Sequence, residues 1–178
     1  MNIQRESITE LLDRLSEVVP DYPSAGISFK DLTPVFADAV GLRRITDAVI
    51  EPFSGQFDVI AGLEARGFVM AAAAAYASGT GMVTVRKAGK LPRPVHSMDY
   101  TLEYGTATLE LHRDDVAPGT RVLILDDVLA TGGTVGSAVK LFEMAGAQVV
   151  GIGVVLELSA LGGRGSLGAN KVHSLQLV

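Results

Sequence analysis

The amino-acid sequence predicts an α/β fold in which a mostly parallel sheet is flanked by helices. Three observations carry that expectation. Runs such as FDVIA (57–61), RVLIL (121–125) and QVVGIGVVL (148–156) are almost wholly apolar, as strands covered on both faces are. Helix-length segments separate several of them, and strand–helix alternation builds parallel sheets. The 178 residues, 48% apolar and 20% charged, suit one domain with a core of its own.

The elements follow in order. Ile3, Leu11, Leu12, Leu15, Val18 and Val19 recur at helical spacing until Pro20, which predicts an N-terminal helix up to that proline. Residues 20–34 hold three prolines and Gly26 and read as an ordered loop. Its Tyr22, Ile27, Phe29 and Leu32 need a surface or a ligand to lie against. Residues 42–53 predict a helix, 57–61 a strand ending at Gly62, 67–77 an alanine-rich helix and 82–86 (MVTVR) a strand. Residues 88–104 have no strong period and read as a long loop, of the kind that often serves as a lid. TATLELH (106–112) alternates like a half-exposed strand. RVLIL is an apolar strand ending at two aspartates, 134–145 a helix closed by Gly146, and 148–156 a buried strand. Ligands of such sheets bind beyond the carboxyl ends of the strands, so the residues that follow each strand are the functional candidates.

Composition removes several function classes. Without cysteine there is no disulfide, thiolate zinc site or cysteine nucleophile. A net charge of −5 argues against a nonspecific nucleic-acid binder, while leaving room for a small anion held by local donors. No N-terminal run suits a secretory signal, and the apolar stretch 68–77 is far short of the ~20 residues that span a bilayer. A cytoplasmic protein with no membrane or nucleic-acid partner is expected. His96, His112 and His173 have no metal-ligand spacing, and no serine, histidine and aspartate group suggests a triad. His96 reads as a solvated loop histidine or as a group facing an anion.

Three segments are candidate phosphate loops. GLEARG (62–67) opens like a Walker A loop but continues with Phe68 where that motif needs lysine. GRGSLG (163–168) has the three glycines of a dinucleotide loop, but only ten residues follow, too few for the rest of that unit, so it reads as a glycine-rich surface turn. The third, LILDDVLATGGT (123–134), has each part in a useful order. An apolar strand leads into Asp126 and Asp127, then Ala130, Thr131, Gly132, Gly133 and Thr134, then a helix. Paired glycines let backbone N–H groups converge at a positive helix N-terminus. The threonines supply hydroxyl donors. The aspartates accept from sugar hydroxyls or hold Mg²⁺, directly or through water. A phosphate site beside a diol site describes a ribose 5-phosphate; the alternative is a strand–helix turn with an aspartate cap.

LILDDVLATGGT resembles the 5-phosphoribosyl 1-pyrophosphate (PRPP) signature of type I phosphoribosyltransferases. DYPSAGISFKDLTP (21–34), LEARGF (63–68), VRKAGKLP (85–92) and YTLEYG (100–105) are similar, in the same order, to segments of the adenine phosphoribosyltransferase family. The resemblance implies a type I phosphoribosyltransferase-like core over residues 37–178. It also implies an N-terminal hood that binds the base over residues 1–36 and a flexible catalytic lid at about 91–105, all within one domain. The implied reaction is adenine plus PRPP to AMP plus pyrophosphate with Mg²⁺, in purine salvage, by a homodimer.

The resemblance also implies roles. Asp126 and Asp127 meet the ribose hydroxyls and the metal, and Ala130, Thr131, Gly132, Gly133 and Thr134 hold the 5′-phosphate. Arg66, Arg86, Lys87 and Lys90 bind pyrophosphate, although the last three also read as a solvated basic turn. In related enzymes the turn at Arg66 contains a cis peptide. Phe29, otherwise a core aromatic, stacks on adenine, while backbone groups of Ile27 and Lys30 read its edge. A mismatched base would leave those buried groups unpaired. Tyr104 covers the reaction centre, and Glu103 exchanges a proton with the purine; Glu103 alternatively is an exposed glutamate before a glycine turn. Ala65 stands where many members have serine, which leaves the backbone to serve there. Enzymes for xanthine, hypoxanthine or guanine share the PRPP loop. A PRPP-sensing regulator shares it too, but usually adds a DNA-binding domain or a basic face.

Replacing Glu103 by Gln is expected to lower turnover more than adenine affinity in steady-state kinetics. An equal loss in both, or no loss, removes the proton-transfer role.

Overall fold

The computed structural model describes residues 6–22, 24–26, 28–101 and 106–178. The chain begins with α1 (Ile8–Leu15), whose start is set by a capping box: Ser7 Oγ accepts from Glu10 N at 3.1 Å and Glu10 accepts from Ser7 N at 2.7 Å. Then come β1 (Glu17–Pro20), β2 (Ser28–Asp31), α2 (Thr33–Ala37) and α3 (Ala39–Ile50). The core continues with β3 (Val59–Leu63), α4 (Gly67–Ser78), β4 (Gly81–Lys87), β5 (Val95–Thr101) and β6 (Thr106–His112). It closes with β7 (Arg121–Leu129), α5 (Gly133–Met144), β8 (Gln148–Glu157), α6 (Gly163–Ser166) and β9 (Val172–Leu177).

Seven strands form one sheet in the order β5-β6-β4-β3-β7-β8-β9. The pairs from β4 through β3, β7 and β8 to β9 are parallel, and the β4–β6 and β6–β5 pairs are antiparallel. Strand β7 explains the non-alternating apolar runs. Its Val122 and Ile124 enter the core on the α5 side, and Leu123 and Leu125 enter the core on the side of α1, α3 and α4. Both faces are covered, so both sets of alternate residues must be apolar.

Several sequence expectations are corrected. Val18 and Val19 do not continue the first helix. It ends at Leu15, and residues 17–20 turn into β1, which pairs antiparallel with β2. The apolar pair satisfied a helical period while belonging to a strand. The 20–34 loop therefore contains a strand, and α2 begins within it at Thr33. The 88–104 segment is not all loop: Val95–Thr101 forms the edge strand β5. Its partly buried His96, Met98 and Tyr100 alternate with exposed Ser97 and Asp99, a pattern hidden because its inward side is only half apolar. Asp126 and Asp127 do not follow β7 but lie within it, since pairing with β8 continues to Leu129. The C-terminal segment also adds β9, which the glycine-rich approach to it conceals.

Close approaches fix the layers. A Cβ on Gly151 of β8 would fall 2.1 Å from the Phe53 ring, and one on Gly153 would fall 2.7 Å from Leu125 and 2.8 Å from Val49. At the end of the sheet away from the start of α5, Arg121 grips Asp58 from Nε and Nη2, and this holds the Asp58 carboxyl at a pKa of about 2. Gly151→Ala is expected to destabilise the fold by about 1–3 kcal/mol through overpacking against Phe53. Urea denaturation measures it, and an unchanged midpoint would show that the ring can move aside.

Candidate active site

The parallel pairing of β3 with β7 ends at Gly62–Leu125. Beyond it the chain leaves β3 as Glu64–Ala65–Arg66, while β7 runs on through Asp126 and Asp127. The Glu64–Ala65 peptide is cis. Helix α4 starts immediately afterwards, and Gly67 allows it to start close: a Cβ there would lie 2.8 Å from Leu125 O and 3.0 Å from Asp126 Oδ1.

This arrangement brings Arg66 onto the acidic pair. Its Nε lies 2.6 Å from Asp127 Oδ2, and its guanidinium carbon is 5.3 Å from the centre of the Phe29 ring. Tyr22 meets the same ring edge-on at 5.3 Å. Asp127 is 5% exposed, and its Oδ2 has charge compensation from Arg66 but no aligned hydrogen bond. Asp126 Oδ1 accepts from Asp127 N at 2.9 Å. Burial pushes the Asp126 carboxyl well above the usual carboxylate range, and the neighbouring Asp127 charge adds to it. Burial also raises Asp127, against the pull of Arg66. The pair is thus short of positive charge and of hydrogen-bond donors, the condition a cation or sugar hydroxyls would relieve.

The basic cluster is organised by an acid that the sequence reading gave no role. Glu64 Oε1 lies 2.5 Å from Lys90 Nζ, its Oε2 accepts from Lys87 N at 3.0 Å, and Arg86 Nε stands 3.4 Å away. Burial opposes ionisation of Glu64, but these contacts win and hold its pKa at about 2. Arg86 also lies over the Phe68 ring at 5.9 Å, and its buried Nε has no hydrogen-bond partner. An acid directly after an apolar strand, facing a strand end with three cations, is the signal that could have found Glu64.

A cavity of about 350 Å³ joins these parts, lined by Glu64, Ala65, Arg66, Lys87, Tyr100, Leu109, Asp126, Asp127 and Thr134. A second, of about 80 Å³, is formed by Asp126 and residues 128–135. There Gly132 adopts φ +84° immediately before the twelve-residue helix α5. Its size suits one tetrahedral anion, and the N–H groups of the helix start favour negative charge. Lys30 turns its side chain away, with Nζ 2.6 Å from Asp13 and 2.8 Å from Gln176, so only its backbone is left for a ligand. Ile27, Glu103 and Tyr104 lie outside the described residues. Among the described residues, no group of three or more acidic or histidine side chains could hold a metal alone.

Similarity to known proteins gives the family. Residues 34–169 match the phosphoribosyl transferase domain model. An adenine phosphoribosyltransferase of Renibacterium salmoninarum is 64% identical over 171 residues, which cover 96% of this chain and 94% of that protein. The crystal structure of adenine phosphoribosyltransferase from Rhodothermus marinus superposes with a TM-score of 0.91 at 44% identity, covering 96% of this chain and 98% of that one. The Saccharomyces cerevisiae enzyme, complexed with adenine and an imino-altritol bisphosphate, superposes at 0.89 with 36% identity, covering 95% and 98%.

Because Asp126 holds its proton more tightly folded than unfolded, its ionisation opposes folding as pH rises above the ordinary carboxylate range. Asp126→Asn is therefore expected to stabilise the ligand-free protein at neutral pH, on the order of 1 kcal/mol, with the gain shrinking toward about pH 4. Denaturation across that range checks it, and a pH-independent difference would contradict it.

Proposed function

The chain belongs to the adenine phosphoribosyltransferase family, and from that premise we propose how its residues carry out the transfer of adenine to PRPP, giving AMP and pyrophosphate. In the reaction the bond from ribose C1 to the pyrophosphate oxygen breaks, a bond from C1 to adenine N9 forms, and the N9 proton is lost. The observation that carries the assignment of residues is the convergence of Arg66, Phe29 and the Asp126–Asp127 pair next to the glycine turn at the start of α5.

Residues 130–134 take the 5′-phosphate at the helix start, and Asp126 and Asp127 take the ribose hydroxyls, whose O–H groups supply the donors that Asp127 Oδ2 lacks. Arg66, Arg86, Lys87 and Lys90 receive the pyrophosphate. The base lies against the Phe29 ring, with its polar rim on backbone groups of Ile27 and Lys30. Glu103 takes the proton from N9 and Tyr104 screens C1 from water, which would otherwise trap a carbocation-like ribose. The same acidic pair fits Mg²⁺: Asp126 or Asp127 would hold it directly or through water, and the ion would supply charge neutralisation for the leaving pyrophosphate. No side chain forms a covalent intermediate in this scheme, so rate comes from positioning and charge.

The family reading also assigns a homodimer and a cytoplasmic place in purine salvage. Tyr76, 92% exposed, and Val69 on α4 and Val40 on α3 are exposed apolar side chains that a second copy could cover. Among the described residues no helix is long and apolar enough to cross a membrane.

The test is AMP formation from PRPP and Mg²⁺ with adenine, hypoxanthine, guanine and xanthine in parallel. Turnover with adenine alone is expected. PRPP binding without turnover of any base would favour a regulator. Asp127→Asn should reduce kcat/KM for PRPP at least tenfold, about 1.4 kcal/mol, with the fold intact by circular dichroism; unchanged kinetics would take Asp127 out of the site.

A further inference from the structure

The GRGSLG segment has no place in the function described so far. In the structure its Arg164, Gly165, Ser166 and Gly168 are exposed, as expected of a surface segment, but its contacts reach inward. Gly163 and Leu167 are buried, and Leu167 joins the core beneath α5. The segment lies directly against the glycine turn of residues 130–134. A Cβ on Gly163 would fall 2.1 Å from Ala130 O and 3.0 Å from Gly132 N. One on Gly132 would fall 2.2 Å from Ser166 Oγ and 2.7 Å from Gly163 O. The two backbones touch with no room for a side chain between them. Ser166 Oγ lies 3.0 Å from Thr131 O and 2.7 Å from Gly163 O, so its single proton is shared between the loop and its own segment.

The segment is itself anchored. Arg164 forks onto Glu157, with Nε at 2.9 Å and Nη2 at 2.5 Å, and donates to Val172 O at 2.8 Å and Ser174 Oγ at 2.9 Å. Ser174 Oγ donates to Glu157 at 2.7 Å, so both carboxylate oxygens are held. Glu157 is 6% exposed and sits on β8 opposite Leu129, the residue that enters the glycine turn. One buried carboxylate thus links the strand that feeds the turn to the segment behind it.

We propose that residues 163–166 are a fixed backing for the phosphate loop, with Arg164 and Ser166 as positioning residues that hold Ala130, Thr131 and Gly132 in their binding conformation before the 5′-phosphate arrives. The proposal rests on the reading of residues 130–134 as the phosphate loop. Five residues with two glycines lose much conformational freedom when ordered. A loop ordered in advance does not charge that loss against ligand affinity. None of residues 163–166 lines the small cavity, so they act through the loop and not on the ligand.

The experiment compares wild type with S166A, R164M, R164K and E157Q in two ways. Steady-state kinetics give kcat and the KM for PRPP and adenine separately, and hydrogen exchange follows the amides of Thr131 and Gly132 with and without PRPP. R164M is expected to raise the PRPP KM about tenfold, and S166A about threefold, with kcat and the adenine KM within about twofold. R164K should not restore the R164M defect, because an ammonium cannot reproduce the fork on Glu157, and E157Q should match R164M. Loop amides should exchange faster in R164M without PRPP and be protected again at saturating PRPP. Parallel losses in all kinetic parameters, or loop exchange unchanged in both R164M and S166A, would overturn the proposal. If R164M fails to fold, S166A decides. If wild type does not use PRPP, the phosphate-loop reading fails, while exchange without ligand still tests the backing role.

Discussion

β3 and β7 stop pairing at Gly62–Leu125, but β7 remains bonded to β8 for four residues more. The acidic pair therefore has firm sheet support on one side and an open edge on the other, where the chain leaving β3 must turn. Arg66 reaches Asp127 because that turn is short, and it is short because Gly67 lets α4 begin against the backbone of Leu125 and Asp126. A side chain at Gly67 would push the helix back and take Arg66 with it. The site is thus a consequence of unequal strand length in an otherwise ordinary parallel sheet.

Glu64 and the Asp126–Asp127 pair then set the electrostatics in opposite senses. Glu64 is surrounded by donors and is strongly ionised; the Asp126–Asp127 pair has too few and resists ionisation. Glu64 follows β3, the pair lies within the neighbouring β7, and all three line one cavity. Carboxylates shifted this strongly in one cavity mark a candidate functional site. The destabilised pair is held by the packed sheet around it, which absorbs the cost of burying two acids side by side.

The sequence was most legible where one physical pattern dominated. The apolar run of β7, the glycines before α5 and the LEARGF segment gave the parallel sheet and the main site segments without coordinates. It was misleading where two patterns coincide. Val18 and Val19 fit a helical period yet pair in β1, and β5 hides its alternation behind His96 and Asp99. Glu64 stood inside a quoted motif, but its contacts come from a strand end more than twenty residues away, which no local pattern reports. The GRGSLG segment is largely exposed, as its composition suggests, but Gly163 marks a place where two backbones meet, and glycine carries no hydropathy signal to reveal it. Ile27, Glu103 and Tyr104, which complete the expected site, lie outside the described residues.

The grip of Glu64 on the basic cluster has a consequence for selectivity among anions. An anion drawn to Lys90 and Arg86 does not meet free cations; it meets a carboxylate already seated there. That carboxylate is tethered, so it competes at an effective concentration of millimolar or more, and dilution never removes it. A singly charged anion gains little by exchanging with it. A polyanion with several oxygens can engage all the cations at once and leave Glu64 to its hydrogen bond from the Lys87 amide. The built-in acid acts as a valence filter, keeping the cluster indifferent to the dilute small anions around it.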